Sequence, residues 1–280
     1  MKNIVFNIIL YTFFCFSVIA ADYPSIPKDI ERKTFCDKGG KKFGHVLILL
    51  DITSPLDKPQ INFVKDMVFS EEFYLNYEPF TKFSYLLIDR KKHQEQKFIF
   101  TKCRPKSGKT DPKREKASWT ENNKILNKLF NEFVMQAKNQ HTKVYANTGD
   151  AKNSFIYETI AYVFQNPKFD FGKKQKKRTL IIVSDMMQNS KRLSFYAACN
   201  ANSEAAKCPS YKSFMQNLSD KDYMTATAPK GAGVKLHMIY LNNRYETNKE
   251  VDRSLIKLWK NYFLDRKFSP VKVTRQLDIN

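Results

Sequence analysis

Two short apolar runs constrain this chain more than anything else in it: residues 46–50 (VLILL), closed by Asp51, and residues 179–184 (TLIIVS), closed by Asp185. A strand that is apolar at consecutive positions, instead of at alternate ones, is buried on both faces, and such strands belong to parallel sheets covered by helices. The rest of the sequence supplies those helices and more strands. After the first run, Ser54, Pro55 and Asp57 predict a helix start, with Ser54 as cap and Asp57 completing a capping box ahead of Ile61, Val64, Met67 and Val68. Strands near 83–88 and 98–101, joined by the basic loop RKKHQEQ, predict an antiparallel edge hairpin. The stretch CRPKSGKTDPKREK reads as loop. Helical spacing recurs over 120–137 (Ile125, Leu126, Leu129, Phe130, Phe133, Val134) and over 154–164, where Asn166-Pro167 ends it. Residues 234–241 and 271–274 predict strands, and 251–263 a helix with Leu255, Leu258, Trp259 and Tyr262 on one face. Strands alternating with helices in this order predict a three-layer, doubly wound, Rossmann-like α/β domain whose sheet is mostly parallel with an antiparallel edge strand.

A chain of 280 residues is enough for one such domain with accessory segments. Residues 1–21 read as a signal peptide: Lys2, an apolar run over 4–20, then small residues at Val18, Ala20 and Ala21. The alternative is an uncleaved membrane anchor. Residues 22–45, with Pro24, Pro27, Gly39 and Gly40, form an N-terminal extension, residues 46–275 the domain, and 276–280 a tail. Export to the periplasm, the cell surface or the medium follows, and with it an oxidising environment. Cys15 falls within the apolar run behind Phe14, which is not a lipoprotein site, and Cys36, Cys103, Cys199 and Cys208 remain. Four cysteines allow three pairings. Cys199 and Cys208, flanking a short small-residue segment, are the natural local pair, leaving Cys36 for Cys103; the absence of CxxC spacing argues against zinc.

In an open parallel sheet, ligands bind outside the carboxyl ends of the strands, near the point where strand order reverses. Asp51 and Asp185 both stand at such ends. If their strands are neighbours, the two carboxylates share a crevice, where their repulsion favours a hard divalent cation between them. The hydroxyls of Thr53 and Ser154 complete an oxygen-rich site suited to magnesium or manganese. The plainer reading is that Thr53 and Ser154 cap helices and the aspartates make turns.

On these residues the chain resembles a von Willebrand factor A domain. VLILLDITSP is similar to that family's first strand and metal loop, whose motif is Asp-x-Ser-x-Ser, with Asp51 and Thr53 at the first two ligand positions. TLIIVSDMM is similar to the fourth strand with its aspartate, Asp185, and NSFIYETIAYVF to the segment in which a loop Thr or Ser precedes the third helix, placing Ser154 there with Thr148 as the fallback. The order of elements agrees over 46–275. Two departures stand out: Pro55 replaces the second serine, and Met186 replaces the glycine usual after the fourth-strand aspartate. The resemblance implies a non-enzymatic adhesion-type module that binds a protein partner in the cell envelope, a carboxylate of the partner completing a bound cation, with no small-molecule substrate.

Two other functions compete. A haloacid-dehalogenase-like phosphatase would use Asp51 as nucleophile and Asp185 to hold magnesium, but that chemistry wants a carboxylate where Thr53 stands. The net charge of +20 allows attachment to anionic lipid or nucleic acid, or simply a well-solvated surface. The run KKQKKR at 173–178 lies at the amino end of its strand, about 20 Å from Asp185 at ~3.3 Å per residue. It lacks the interleaved aromatics that stack bases and reads as a solvated loop. SGKT at 107–110 lacks the first glycine of a phosphate loop, no GxSxG occurs, and His45, His93, His141 and His237 occur singly, as surface or packing residues.

Overall fold

The computed structural model describes residues 33–37, 44–88, 98–108, 122–146, 151–169, 171, 177–199, 207–217, 231–242 and 249–276. The expected signal peptide, most of the extension, His93, Thr148 and the tail beyond residue 276 lie outside the described residues.

Among the described residues six strands form one sheet: β1 (His45–Asp51), β2 (Lys82–Ile88), β3 (Phe98–Cys103), β4 (Arg178–Ser184), β5 (Val234–Tyr240) and β6 (Val271–Arg275), in the order β3-β2-β1-β4-β5-β6. Every neighbouring pair is parallel except β2 and β3, which are antiparallel. The fold class expected from the sequence is therefore the one observed. β1 is buried at all seven positions between β2 and β4. Its side chains divide between two cores: Leu47 and Leu49 enter one, Val46, Ile48 and Leu50 the other. On the second face lie α1 (Lys58–Val68), α2 (Glu71–Leu75) and α3 (Asn123–Tyr145); on the first lie α4 (Ile156–Gln165), α5 (Phe195–Ala198), α6 (Tyr211–Asn217) and α7 (Lys249–Asp265). The chain leaves β1 toward β2 and later returns to place β4 on the other side, so the switch point falls between the carboxyl ends of β1 and β4.

α1 begins later than its sequence suggests. Asp57, not Ser54, is the cap: its carboxylate accepts from the Gln60 N–H at 2.8 Å, and the Gln60 side chain accepts from the Asp57 N–H at 2.9 Å. A helix starting at Pro55 would place Pro59 in its interior, where the missing N–H and the ring clash would break it; Pro59 is tolerated only in the first turn. α3 runs longer than expected, because Ala137, His141, Val144 and Tyr145 continue its buried stripe. His141 belongs to that stripe, with Nε2 3.1 Å from the Ile61 carbonyl and its ring 5.0 Å from that of Phe69. His45 packs likewise, with Nε2 2.9 Å from the Ser84 hydroxyl.

Arg178 departs from the solvated-loop reading of its run, and Arg104, in a loop as expected, is nonetheless buried. Arg178, the last residue of KKQKKR, is buried and donates to the carbonyls of Phe171 and Ala232 at 3.2 and 2.7 Å. Arg104 is wholly buried with its guanidinium 5.4 Å from the Phe130 ring centre, and its backbone pairs with Phe80 and Thr81. A guanidinium retains planar apolar faces and multiple donors, which lets it enter packed regions where lysine does not.

Cys36 and Cys103 stand at disulfide distance, 2.06 Å between sulfurs and 67 residues apart in sequence, and Cys199 and Cys208 at 2.01 Å and 9 residues apart. The first pair fastens residues 33–37 to the end of β3, helped by the Cys103 N–H donating to the Thr34 carbonyl at 2.8 Å and by the buried Phe35 ring. Replacing Cys36 and Cys103 by serine is expected to lower unfolding free energy by about 2–5 kcal/mol, and replacing Cys199 and Cys208 by less, because the closed loop is shorter. Urea denaturation of the two double variants measures the difference.

Candidate functional site

Asp51 ends β1 beneath the crest of the sheet, and three chain segments turn hydroxyls toward it. Thr53, two residues on, donates from both its N–H (3.0 Å) and its Oγ1 (2.6 Å) to Oδ1. Ser184, ending β4, donates to Oδ2 at 2.6 Å, and Ser154, just before α4, donates to the same oxygen at 3.2 Å. Thr53 and Ser154 thus do not cap helices: α4 has no side-chain cap, and α1 is capped by Asp57. Ser154 is held in place by paired backbone bonds with Asn189 at 2.9 and 2.8 Å, and the preceding loop by the Ala151 N–H donating to the Thr53 carbonyl at 2.8 Å.

Asp185 sits higher. It is partly exposed, accepts from the Met187 N–H at 3.0 Å, and with Thr53, Ser54, Lys152, Ser154 and Asn189 lines a pocket of about 140 Å³. The two aspartates therefore converge on one crest at different depths, Asp51 buried behind the hydroxyls of Thr53 and Ser154 that line the pocket and Asp185 on its wall. Ser184 was not singled out in the sequence. The signal for it is a hydroxyl closing the buried apolar run Leu180–Val183.

Burial pushes the Asp51 carboxyl above its ordinary range, and the hydrogen bonds from Ser184, Thr53 and Ser154 pull the other way. The same burial raises the hydroxyl of Tyr145, and the charge of Asp51 adds to that rise. No ion pair to Asp51 occurs among the described residues. An ionised carboxylate buried without a countercharge is unfavourable, and a cation above it would relieve that cost. The donor set fits a hard cation: hydroxyl oxygens from Thr53 and Ser154, the Asp185 carboxylate, and the Asp51 charge behind them. Among the described residues no group of three or more His, Cys, Asp or Glu side chains gathers, so the set is poor in the soft ligands that zinc prefers. Pro55 contributes no oxygen in place of the missing serine, while Ser54 lines the pocket beside it.

Met186 explains why a glycine is usual at its position. Its φ is +60°, in the left-handed region. Three contacts hold it there: its N–H donates to Ser184 Oγ at 2.7 Å, its carbonyl accepts from the indole N–H of Trp259 at 2.9 Å, and its side chain is buried in the core. Next to it, Gln188 ties the loop to α4, accepting from the Tyr157 N–H at 2.7 Å and donating to Glu158 at 2.8 Å.

A doubly wound parallel sheet with an antiparallel edge, carrying acidic and hydroxyl side chains where the strand order reverses, defines an α/β domain of the three-layer class. That architecture is the one the sequence resemblance to a von Willebrand factor A domain implies. No protein-family model and no curated protein matches the chain. Among solved structures it is similar to proximal thread matrix protein 1 from the mussel byssus with a zinc-occupied MIDAS motif (13% identity, TM-score 0.39, covering 84% of this chain and 44% of that one). It is also similar to the manganese-loaded TRAP protein of Plasmodium vivax (11%, 0.36, 85% and 70%) and to a von Willebrand factor type A structure from Catenulispora acidiphila (8%, 0.36, 81% and 42%). The chain spans less than half the length of the mussel and Catenulispora chains.

Two outcomes are expected. Met186→Gly and Met186→Ala both lose a buried side chain, at about 2–5 kcal/mol, but glycine relieves the left-handed strain and should be the milder by about 1 kcal/mol, the reverse of the usual order. Chemical denaturation of both variants tests it. Because the folded pKa of Asp51 is raised above 3.8, the folded chain keeps a proton that the unfolded chain has lost, so this group's contribution to stability falls as pH rises through that window. In chelator, Asp51→Asn should therefore melt above wild type at pH 7, the difference closing as the pH is lowered toward 4; thermal scans across pH measure it.

Proposed function

We propose that the chain is an exported binding module that recognises a protein partner through the crest carrying Thr53, Ser154 and Asp185, with a divalent cation, magnesium or manganese, seated above Asp51. The carrying observation is the convergence of hydroxyls from three separate segments on one buried, uncompensated carboxylate at the switch point of the sheet. In this reading Thr53, Ser154 and Asp185 hold the ion, and Asp51 holds the hydroxyls. The ion supplies an open position for a partner's carboxylate, and Lys152 at the pocket rim adds a second attraction for an acidic side chain. The two cysteine pairs suit an oxidising compartment and so support export.

A phosphatase reading is less favoured. Both oxygens of Asp51 are engaged by four hydrogen bonds behind the pocket lining, which is a poor disposition for a nucleophile that must reach phosphorus. Electrostatic attachment to anionic lipid or nucleic acid remains the other partner class compatible with the basic surface.

Calorimetric titration with magnesium and manganese should give a heat signal for wild type that is lost in Asp185→Ala and in Asp51→Ala. Ion at a hundredfold excess over its Kd should stabilise wild type by about 2.7 kcal/mol. A pull-down from an envelope fraction, with and without chelator, should show partner capture that depends on the ion. An unchanged melting temperature with either ion would remove the cation from the reading, and chelator-independent capture would leave binding at the crest without it.

A further inference from the structure

The sheet face covered by α1 and α3 changes character toward β6. On β1 and β4 it presents Val46, Ile48, Leu50, Ile181 and Val183, all buried. On β5 the same face still buries Ile239, but nearer the amino ends of β5 and β6 it presents Lys235 and Lys272, both exposed, and beside them His237 and Thr274, partly exposed and paired at 2.8 Å. Burial and the neighbouring Lys272 hold His237 down to about 4, so it is neutral at physiological pH and the charge of the patch belongs to the lysines. The opposite face is conventional: Leu236 and Met238 are buried, and Val271 and Val273 pack against the core beneath α7.

Among the described residues β6 ends the strand order, and no described strand pairs with its outer edge. The Pro270 carbonyl accepts from the Leu236 N–H at 2.9 Å and so points toward β5. Strand alternation then turns the backbone groups of Val271, Val273 and Arg275 away from the sheet. Among the described residues none of these groups has a hydrogen-bond partner assigned to it beyond the sheet. An open row of donors and acceptors beside two lysines on one face is a template for another strand.

We propose that the β6 edge takes up an extended segment of a protein partner as a seventh strand, its alternate acidic side chains on the face of Lys235 and Lys272 and its intervening apolar ones beside Val271 and Val273. Backbone pairing gives the affinity and the lysines select for acidic residues. This edge is separate from the crest of Asp185, and the proposal stands whether or not the crest holds a cation. The competing account of Lys272 is that an edge lysine merely discourages pairing between copies.

The test uses the mature chain and a fluorescent peptide of alternating glutamate and valine, the same peptide N-methylated at alternate amides, and vesicles of phosphatidylcholine with phosphatidylserine. The expected result is saturable binding of the first peptide, weakened by roughly tenfold or more in the Lys235→Glu/Lys272→Glu double variant, and lost on N-methylation. Both lysines are exposed, so the variant should melt with wild type; Lys235→Gln/Lys272→Gln should give an intermediate loss. Absence of peptide binding, equal binding of the N-methylated peptide, lysine-dependent binding to vesicles but not peptide, or self-association of Lys272→Val without peptide binding would each overturn the proposal.

Discussion

A single buried carboxylate organises the functional end of this molecule. Asp51 lies at the end of the central strand and accepts four hydrogen bonds from Thr53, Ser184 and Ser154. These donors come from the loop after β1, the end of β4 and the segment before α4, so one anion fixes the relative positions of three pieces of chain that are distant in sequence. Desolvation works against that anion and the hydroxyls work for it. The arrangement is therefore a compact electrostatic compromise whose balance a cation, a proton or a mutation at position 51 can move. Two of these hydroxyl-bearing residues, Thr53 and Ser154, line the pocket that Asp185 walls.

How much of this was legible in the sequence differs by element. The continuous apolar runs ending at Asp51 and Asp185 foretold the parallel core, because only strands buried on both faces dispense with alternation. The antiparallel hairpin was readable from its short connection. The start of α1 was misplaced, because two overlapping cap signals occur and only the geometry of Pro59 decides between them. The last third of α3, beyond residue 137, is not legible since it buries a histidine and a tyrosine, residues that a pattern of aliphatic side chains does not count. The burial of Arg178 in β4 and of Arg104 in its loop is not legible, because sequence patterns treat charge as exposure, whereas a guanidinium can satisfy itself on carbonyls and an aromatic face.

The candidate site was partly readable. Asp51, Thr53, Ser154 and Asp185 meet at one crest, yet their division into a buried carboxylate and a pocket lining depends on hydrogen-bond direction, which no spacing encodes. Ser184 escaped notice because it looked like the last residue of a strand. Met186 was visible as a departure from a family pattern, but its physical meaning, a left-handed backbone held by Trp259 and Ser184, exists only in three dimensions.

The link between Cys36 and Cys103 has a mechanical side. It encloses β1, α1, α2, β2 and β3 in a covalent ring spanning 67 residues of sequence. Tension applied to the chain ahead of residue 36 would cross the sulfur bridge and enter at the end of β3, bypassing the ring. The loop that carries Asp51 and Thr53 would then bear no load from that direction, whereas Ser154, Ser184 and Asp185 sit on the loaded stretch beyond residue 103, so a pull would act across the crest instead of along it.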